Sequence, residues 1–83
     1  MKELVEYLVR ALVDNPDKIS VQETQGDSVT VLEVRTAPED VGKVIGREGR
    51  IANSIRAITK AAAAKQNKKI TVEIITDEDK TTE

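Results

Sequence analysis

The stretch Gly46-Arg47-Glu48-Gly49 sets two glycines around a pair of opposite charges, and the apolar dipeptide Val44-Ile45 leads into it. Glycine has no Cβ, so this spacing offers two places where another molecule's backbone can come closer than any other residue type allows. Lys43, Arg47 and Arg50 surround the pair, and cationic side chains beside backbone N–H groups suit anionic oxygens. The chemistry on offer is the holding of a phosphate backbone. A tight turn between two helices is the plain alternative, and it accounts for one glycine more readily than for two.

Groups for covalent or metal chemistry are scarce. The chain has no histidine and no cysteine, which removes the usual zinc site and all His- or Cys-based catalysis. Gly42 is followed by Gly46 and then Arg47-Glu48, so the phosphate loop of nucleotide hydrolases, G-x-x-x-x-G-K-[ST], is absent. The dinucleotide fingerprint would need glycine at position 44, which is valine. No enzyme and no cofactor is expected. One tyrosine with no phenylalanine or tryptophan also removes the aromatic platforms on which many nucleic-acid modules stack bases.

The formal net charge of −2 points to no polyanion partner, but it is unevenly distributed. From Gly42 to Lys69 eight basic residues, including Arg56, Lys60, Lys65, Lys68 and Lys69, face Glu48 as the one acid. Local potential recruits a polyanion, so a mildly acidic chain can still present a basic face. Eighty-three residues suffice for one domain, and a chain this short buries only roughly 60% of its unfolded surface, so the core must be compact. No apolar run approaches the roughly 20 residues of a membrane span, and the start of the chain lacks the pattern of a signal peptide. The expectation is a cytoplasmic protein with no membrane partner.

Elements must hold the glycine pair in place. Leu4, Val5, Leu8, Val9, Leu12 and Val13 recur at helical spacing, and Asn15-Pro16 stops that helix because the residue before proline is driven out of the helical region. The breadth of its apolar arc suits either one generous core face or a second subunit. Ile19 and Val21 alternate with polar residues in a strand, Gly26-Asp27 reads as a two-residue hairpin turn, and Ser28 to Thr36 is apolar on both faces, as a central or bulged strand would be. Pro38-Glu39-Asp40 opens a short helix running through Val41, Val44 and Ile45. A longer helix follows from Gly49 or Arg50 to about Gln66, with Ile51, Ile55, Ile58 and Ala62 as its apolar stripe and Ala52 beside them. Lys69 to Thr76 is a third strand, and Asp77 to Glu83, with no apolar residue, reads as an acidic, disordered tail. The two-helix crossover makes the last strand parallel to the second.

A short helix, a glycine turn and a basic helix also describe a helix-turn-helix DNA reader, but three β-branched strands around the pair call for a sheet. Another rival is a protein-interaction module in which the loop is vestigial; the first helix and the Ala61–Ala64 run carry it. If a nucleic-acid backbone lies on the glycines, its bases need a groove, which Val44, Ile45, Ile51, Ala52 and a strand residue such as Val34 could line without aromatic rings. Ile45 and Ile51 fit core or groove equally. Glu48 could temper binding, pair with a basic neighbour or point to water.

Val44-Ile45-Gly46-Arg47-Glu48-Gly49-Arg50 resembles the signature of KH domains, with Gly46-Arg47-Glu48-Gly49 as the GXXG loop. The order α-β-β-α-α-β resembles the type II, bacterial arrangement, and the likeness is closer still to the KhpA family of small single-domain bacterial KH proteins, through Gly42–Gly46 and Gly49–Arg56 to the last strand. It implies an α+β fold over residues 1–76, a mixed three-stranded sheet with three helices packed on one face, followed by the tail 77–83. It also implies binding of single-stranded RNA, about four nucleotides per domain, by Lys43, Ile45, Gly46, Arg47, Glu48, Gly49, Arg50, Ile51 and Arg56. Finally it implies a homodimer or a heterodimer with a larger KH protein, KhpB, and an RNA-chaperone or post-transcriptional role tied to cell shape.

Overall fold

A computed structural model describes residues 1–76; the expected acidic tail lies outside the described residues. Helix α1 (Lys2–Leu12) puts Val5 and Val9 into the core one turn apart. Val13 is already extended, with φ −95° and ψ 160°, and Pro16–Lys18 forms a single 3₁₀ turn. Strands β1 (Ser20–Gln25) and β2 (Thr30–Arg35) pair antiparallel, with Val21 opposite Val34 and Gln25 opposite Thr30. Strand β3 (Ile70–Ile74) pairs parallel with β2, Thr30 opposite Ile70 and Val34 opposite Ile74, so β2 is central.

The hairpin differs from its expected form. The link runs over four residues, Gly26 to Val29, closed by the Gly26 N–H donating to the Val29 carbonyl at 2.8 Å. Gly26 is not among the glycines with positive φ, so no two-residue turn forms. The reason lies across the sheet: the Thr30 N–H donates to the Lys69 carbonyl at 2.9 Å, which fixes where β2 begins and leaves Val29 outside the ladder.

The apolar residues on both faces of β2 reflect its central place, and its register with both neighbours is continuous, without a bulge. Alternation sends Leu32 and Val34 toward the helices, where both are fully buried, and leaves Val31 half-buried on the other face. There Glu33 and Arg35 stand 3.8 Å apart beside Gln22, Thr24 and Glu73, so the helices cover one side only. Val5, Val9, Val13, Val21, Leu32, Val34, Val44, Ile55 and Val72 make one core. Truncation at its centre, Leu32→Ala, costs about 2–5 kcal/mol.

Pro38–Asp40 forms a 3₁₀ turn that runs into α2 (Val41–Ile45). Its last residue ties the helices together. The Asp40 carboxylate, fully buried, accepts from the N–H groups of Asp14 (3.3 Å) and Asn15 (3.0 Å) and from Asn15 Nδ2 (3.0 Å). The chain leaving α1 is thereby fastened to the start of α2.

Helix α3 (Arg50–Lys65) is rotated from the expected stripe. It buries Ala52, Ile55, Thr59 and Ala63, whereas Ile58 is 47% exposed. Alanines at the contact let the helix approach the sheet closely, and Thr59 is tolerated there because its hydroxyl donates to the Ile55 carbonyl at 2.8 Å. Arg56 Nε donates to the Val72 carbonyl at 3.1 Å, which holds the rotation.

Candidate nucleic-acid interface

The turn between α2 and α3 is built from backbone conformations that side chains resist. The Gly46 N–H closes α2 on the Gly42 carbonyl at 2.8 Å, and the chain then passes through Gly46 at φ 75°, ψ 176°, a region essentially restricted to glycine. Glu48 (φ 55°, ψ 26°) and Gly49 (φ 74°, ψ 15°) are left-handed. The Gly49 N–H donates to the Gly46 carbonyl at 3.2 Å and the Arg50 N–H to the Arg47 carbonyl. The N–H groups of Arg47 and Glu48 take no part in the turn's backbone bonds.

The two glycines serve different ends. A Cβ on Gly46 would stand 2.7 Å from Ile51 Cγ1, so the chain itself fills that space. A Cβ on Gly49 would meet only Asn53 Nδ2, at 4.0 Å. Gly49 therefore leaves open room above the turn.

The surrounding cations are unequally available. Lys43 Nζ stands 3.4 Å from Asp14 Oδ2 and 3.8 Å from Asp40 Oδ1, which draws it toward the α1 side. Burial pushes the Asp40 carboxyl up, but the hydrogen bonds from Asn15 and Asp14 and the charge of Lys43 outweigh it and hold the group below the usual range. Arg50 Nη2 meets Glu48 Oε1 at 3.5 Å with both side chains exposed, a pair worth about 0–1 kcal/mol. Of the three readings open for Glu48, pairing with a basic neighbour is the observed one. Arg47 is exposed and has no ion pair among the described residues.

The expected apolar groove is smaller than its residue set. Val34, Val44 and Ala52 are buried in the core, because the three small side chains face the sheet and its helices. Ile45 and Ile51 remain half-exposed beside the turn, with Ile51 packed partly on the core. Arg56 lies two turns along α3 from Gly49 and is engaged within the chain, through the Val72 carbonyl and, at 3.2 Å, Asn53 Oδ1. The structure thus gathers Ile45, Gly46, Arg47, Glu48, Gly49, Arg50 and Ile51 at the turn and sets Lys43 and Arg56 to its sides. Reading the sequence missed Asp40 as the buried fastening and Asn53 as the neighbour of both Gly49 and Arg56. Asp40 follows a proline in a helix-opening segment, where an acid is expected for the helix dipole alone.

A β-α-α-β unit with a Gly-x-x-Gly turn between its helices, preceded by a helix and a strand, is the architecture of a type II KH domain. The family described as "KhpA/KhpB, KH domain" matches residues 2–74, and the chain belongs to that family. The RNA-binding protein KhpA of Clostridium perfringens is 55% identical over 75 residues, 90% of this chain and 100% of that protein. Those of Caldanaerobacter subterraneus subsp. tengcongensis, at 53% over 90% of this chain and 100% of that protein, and of Aquifex aeolicus, at 43% over 90% and 95%, bear the same name. No solved structure matches the chain. The family is one of RNA-binding proteins and not of enzymes, and no helix among the described residues is long and apolar enough to cross a membrane.

Proposed function

We propose that this chain binds single-stranded RNA, with the Gly46–Gly49 turn as a clamp on the RNA backbone. The observation that carries the reading is the open space over Gly49 beside Arg47, which has no ion pair among the described residues. A phosphate seated there meets the guanidinium and the N–H groups of Arg47 and Glu48, while Ile45 and Ile51 offer aliphatic surface to the adjacent bases. The names of its relatives support RNA as the ligand. On this reading the protein acts in the cytoplasm on RNA after transcription, as a chaperone or regulator with effects on cell shape, alone or paired with KhpB.

Titrating isotope-labelled protein with a short single-stranded RNA, duplex DNA and buffer, while following the Gly46 and Gly49 amides, tests the clamp. Shifts at both amides are expected with the RNA only. The double variant Arg47→Asp/Glu48→Asp is expected to stay folded and lose binding, since two carboxylates then face the phosphates; unchanged affinity in that folded variant overturns the reading. A second reading, a homodimer, is favoured by the exposure of Tyr7 (71%) on α1 and Ile58 on α3. Sedimentation of wild type and Ile58→Glu tests it, with loss of self-association expected and a monomeric wild type against it.

A further inference from the structure

The remaining cations of the basic segment are not scattered. An open concavity of about 850 Å³ at the far end of α3 is bordered by Arg56, Lys60, Lys68 and Lys69, with Val29 and Ile70 supplying apolar surface. None of these four cations pairs with an acidic side chain among the described residues. Among the described residues no acid lines the concavity, and none occurs in α3.

Two features set this cluster apart from lysines placed for solubility. The first is the fixed backbone of the lysine pair. Asn67, at φ 58°, ends α3 in the left-handed conformation; its N–H donates to the Ala64 carbonyl at 3.0 Å and that of Lys68 to the Ala63 carbonyl at 2.9 Å. These two bonds are the paired closure of a Schellman cap. On the other side, the Lys69 carbonyl accepts from the Thr30 N–H. Lys68 and Lys69 are thus held between a helix cap and a strand. The negative end of the helix dipole favours cations near the last turn, which explains Lys65 but neither Arg56 and Lys60, further back, nor the concavity they share with the pair.

The second is continuity with the turn. Gly49, Asn53, Arg56, Lys60, Ala64 and Asn67 succeed one another at three- and four-residue steps, which places them on one face of α3. All but Gly49 are exposed, and Gly49 is half-exposed. The face leads from the open side of the clamp to the concavity. At 1.5 Å per residue the path from Gly49 to Asn67 is about 27 Å, and at roughly 3.4 Å per stacked nucleotide that is on the order of eight nucleotides.

We infer that the concavity at Lys60, Lys68 and Lys69 is a second RNA-backbone subsite, so that one domain engages a single strand of about eight nucleotides rather than the four held at the turn. The inference rests on the RNA-clamp reading. Arg56 stands midway, and Val29 and Ile70 give bases or riboses at the far end an apolar surface that needs no aromatic ring.

Binding of single-stranded RNA of four and twelve nucleotides is measured across a salt series, for wild type and for Lys60→Gln/Lys68→Gln/Lys69→Gln. For wild type the twelve-mer is expected to bind at least about tenfold more tightly than in the triple variant, with a log K against log salt slope steeper by about 2 than that of the four-mer. In the variant, four-mer affinity stays within about twofold, which also reports an intact fold, and the twelve-mer keeps only the gain from its extra binding registers. A twelve-mer equally weak in both proteins overturns the subsite, as does a variant that weakens both lengths alike. A duplex DNA of the same length competing as well as the RNA overturns its single-strand character. If no RNA of either length binds, the clamp reading fails and the subsite with it; if the four-mer binds and length adds nothing, the subsite alone fails.

Discussion

The Cβ that Gly46 lacks would lie 2.7 Å from Ile51 Cγ1, and Gly46 sits at φ 75°, ψ 176°. Two costs therefore meet in Gly46→Ala: a backbone region closed to side chains, about 1–3 kcal/mol, and overpacking against Ile51, about 1–3 kcal/mol. Gly49→Ala meets only the left-handed penalty of about 1–2 kcal/mol, since its space is open. The expected outcome is a Tm loss for Gly46→Ala at least twice that for Gly49→Ala. RNA affinity per folded molecule should fall more for Gly49→Ala. Thermal melts and binding of the same two variants check both halves, and equal Tm losses would refute the division of labour between the glycines.

Charge at the turn should follow the observed pairing. With about four nucleotides held and few phosphate contacts, affinity is expected to be about micromolar, with a salt slope of roughly −2 to −3. Arg47→Ala should make that slope shallower by about 0.7, the share of one phosphate contact on a single strand. Arg50→Ala should do less, because Glu48 already competes for that guanidinium at 3.5 Å. Glu48→Gln should tighten binding by freeing Arg50 and removing a negative charge from the loop. Fluorescence anisotropy over a salt series ranks the three.

The sequence made the turn and the element order legible for a local reason: glycine pairs, proline stops and alternation of β-branched residues act within a few positions. What depends on distant partners was not legible. The start of β2 is set by Lys69 across the sheet, so Gly26-Asp27 misled as a hairpin turn. The rotation of α3 is set by Arg56 reaching Val72 and by Thr59 satisfying its own hydroxyl, so Ile58 looked like core and Thr59 did not. The groove was overdrawn for the same reason, because Val34, Val44 and Ala52 are apolar in any reading and only packing decides that they face inward.

Asp40 should make the fold acid-sensitive. Its carboxyl is held below the usual range, so the unfolded chain takes up the proton first as pH falls. The stability it contributes is fully present above about pH 4, the ordinary carboxyl value, and is lost as pH drops through the lower folded value. Asp14, Glu39 and Lys43 lie around the same carboxylate or its Asn15 partner, so the comparison needs Asp40→Asn. The Tm difference between wild type and Asp40→Asn should be constant from pH 5 to 7 and shrink toward zero on acidification. A difference that persists unchanged at the acid end would show that packing, and not charge, is what Asp40 supplies.

Arg56 offers a separation of structure from ligand contact. Its guanidinium makes two bonds at once, Nε to the Val72 carbonyl and Nη1 to Asn53 Oδ1, a fork that a lysine ammonium does not reproduce. Arg56→Ala is expected to lose about 1–2 kcal/mol by urea unfolding, since a hydrogen bond from a charged group to the edge strand disappears. It should also weaken binding of long RNA, because Arg56 stands on the face that joins the turn to the lysine cluster. Arg56→Lys keeps the charge and loses the fork, so it should recover most of the long-RNA affinity and its salt slope while leaving the stability deficit in place. Recovery of both together would mean that a point charge with a single donated bond suffices at this position and that the fork adds nothing; recovery of neither would make Arg56 a structural residue whose loss deforms the binding face.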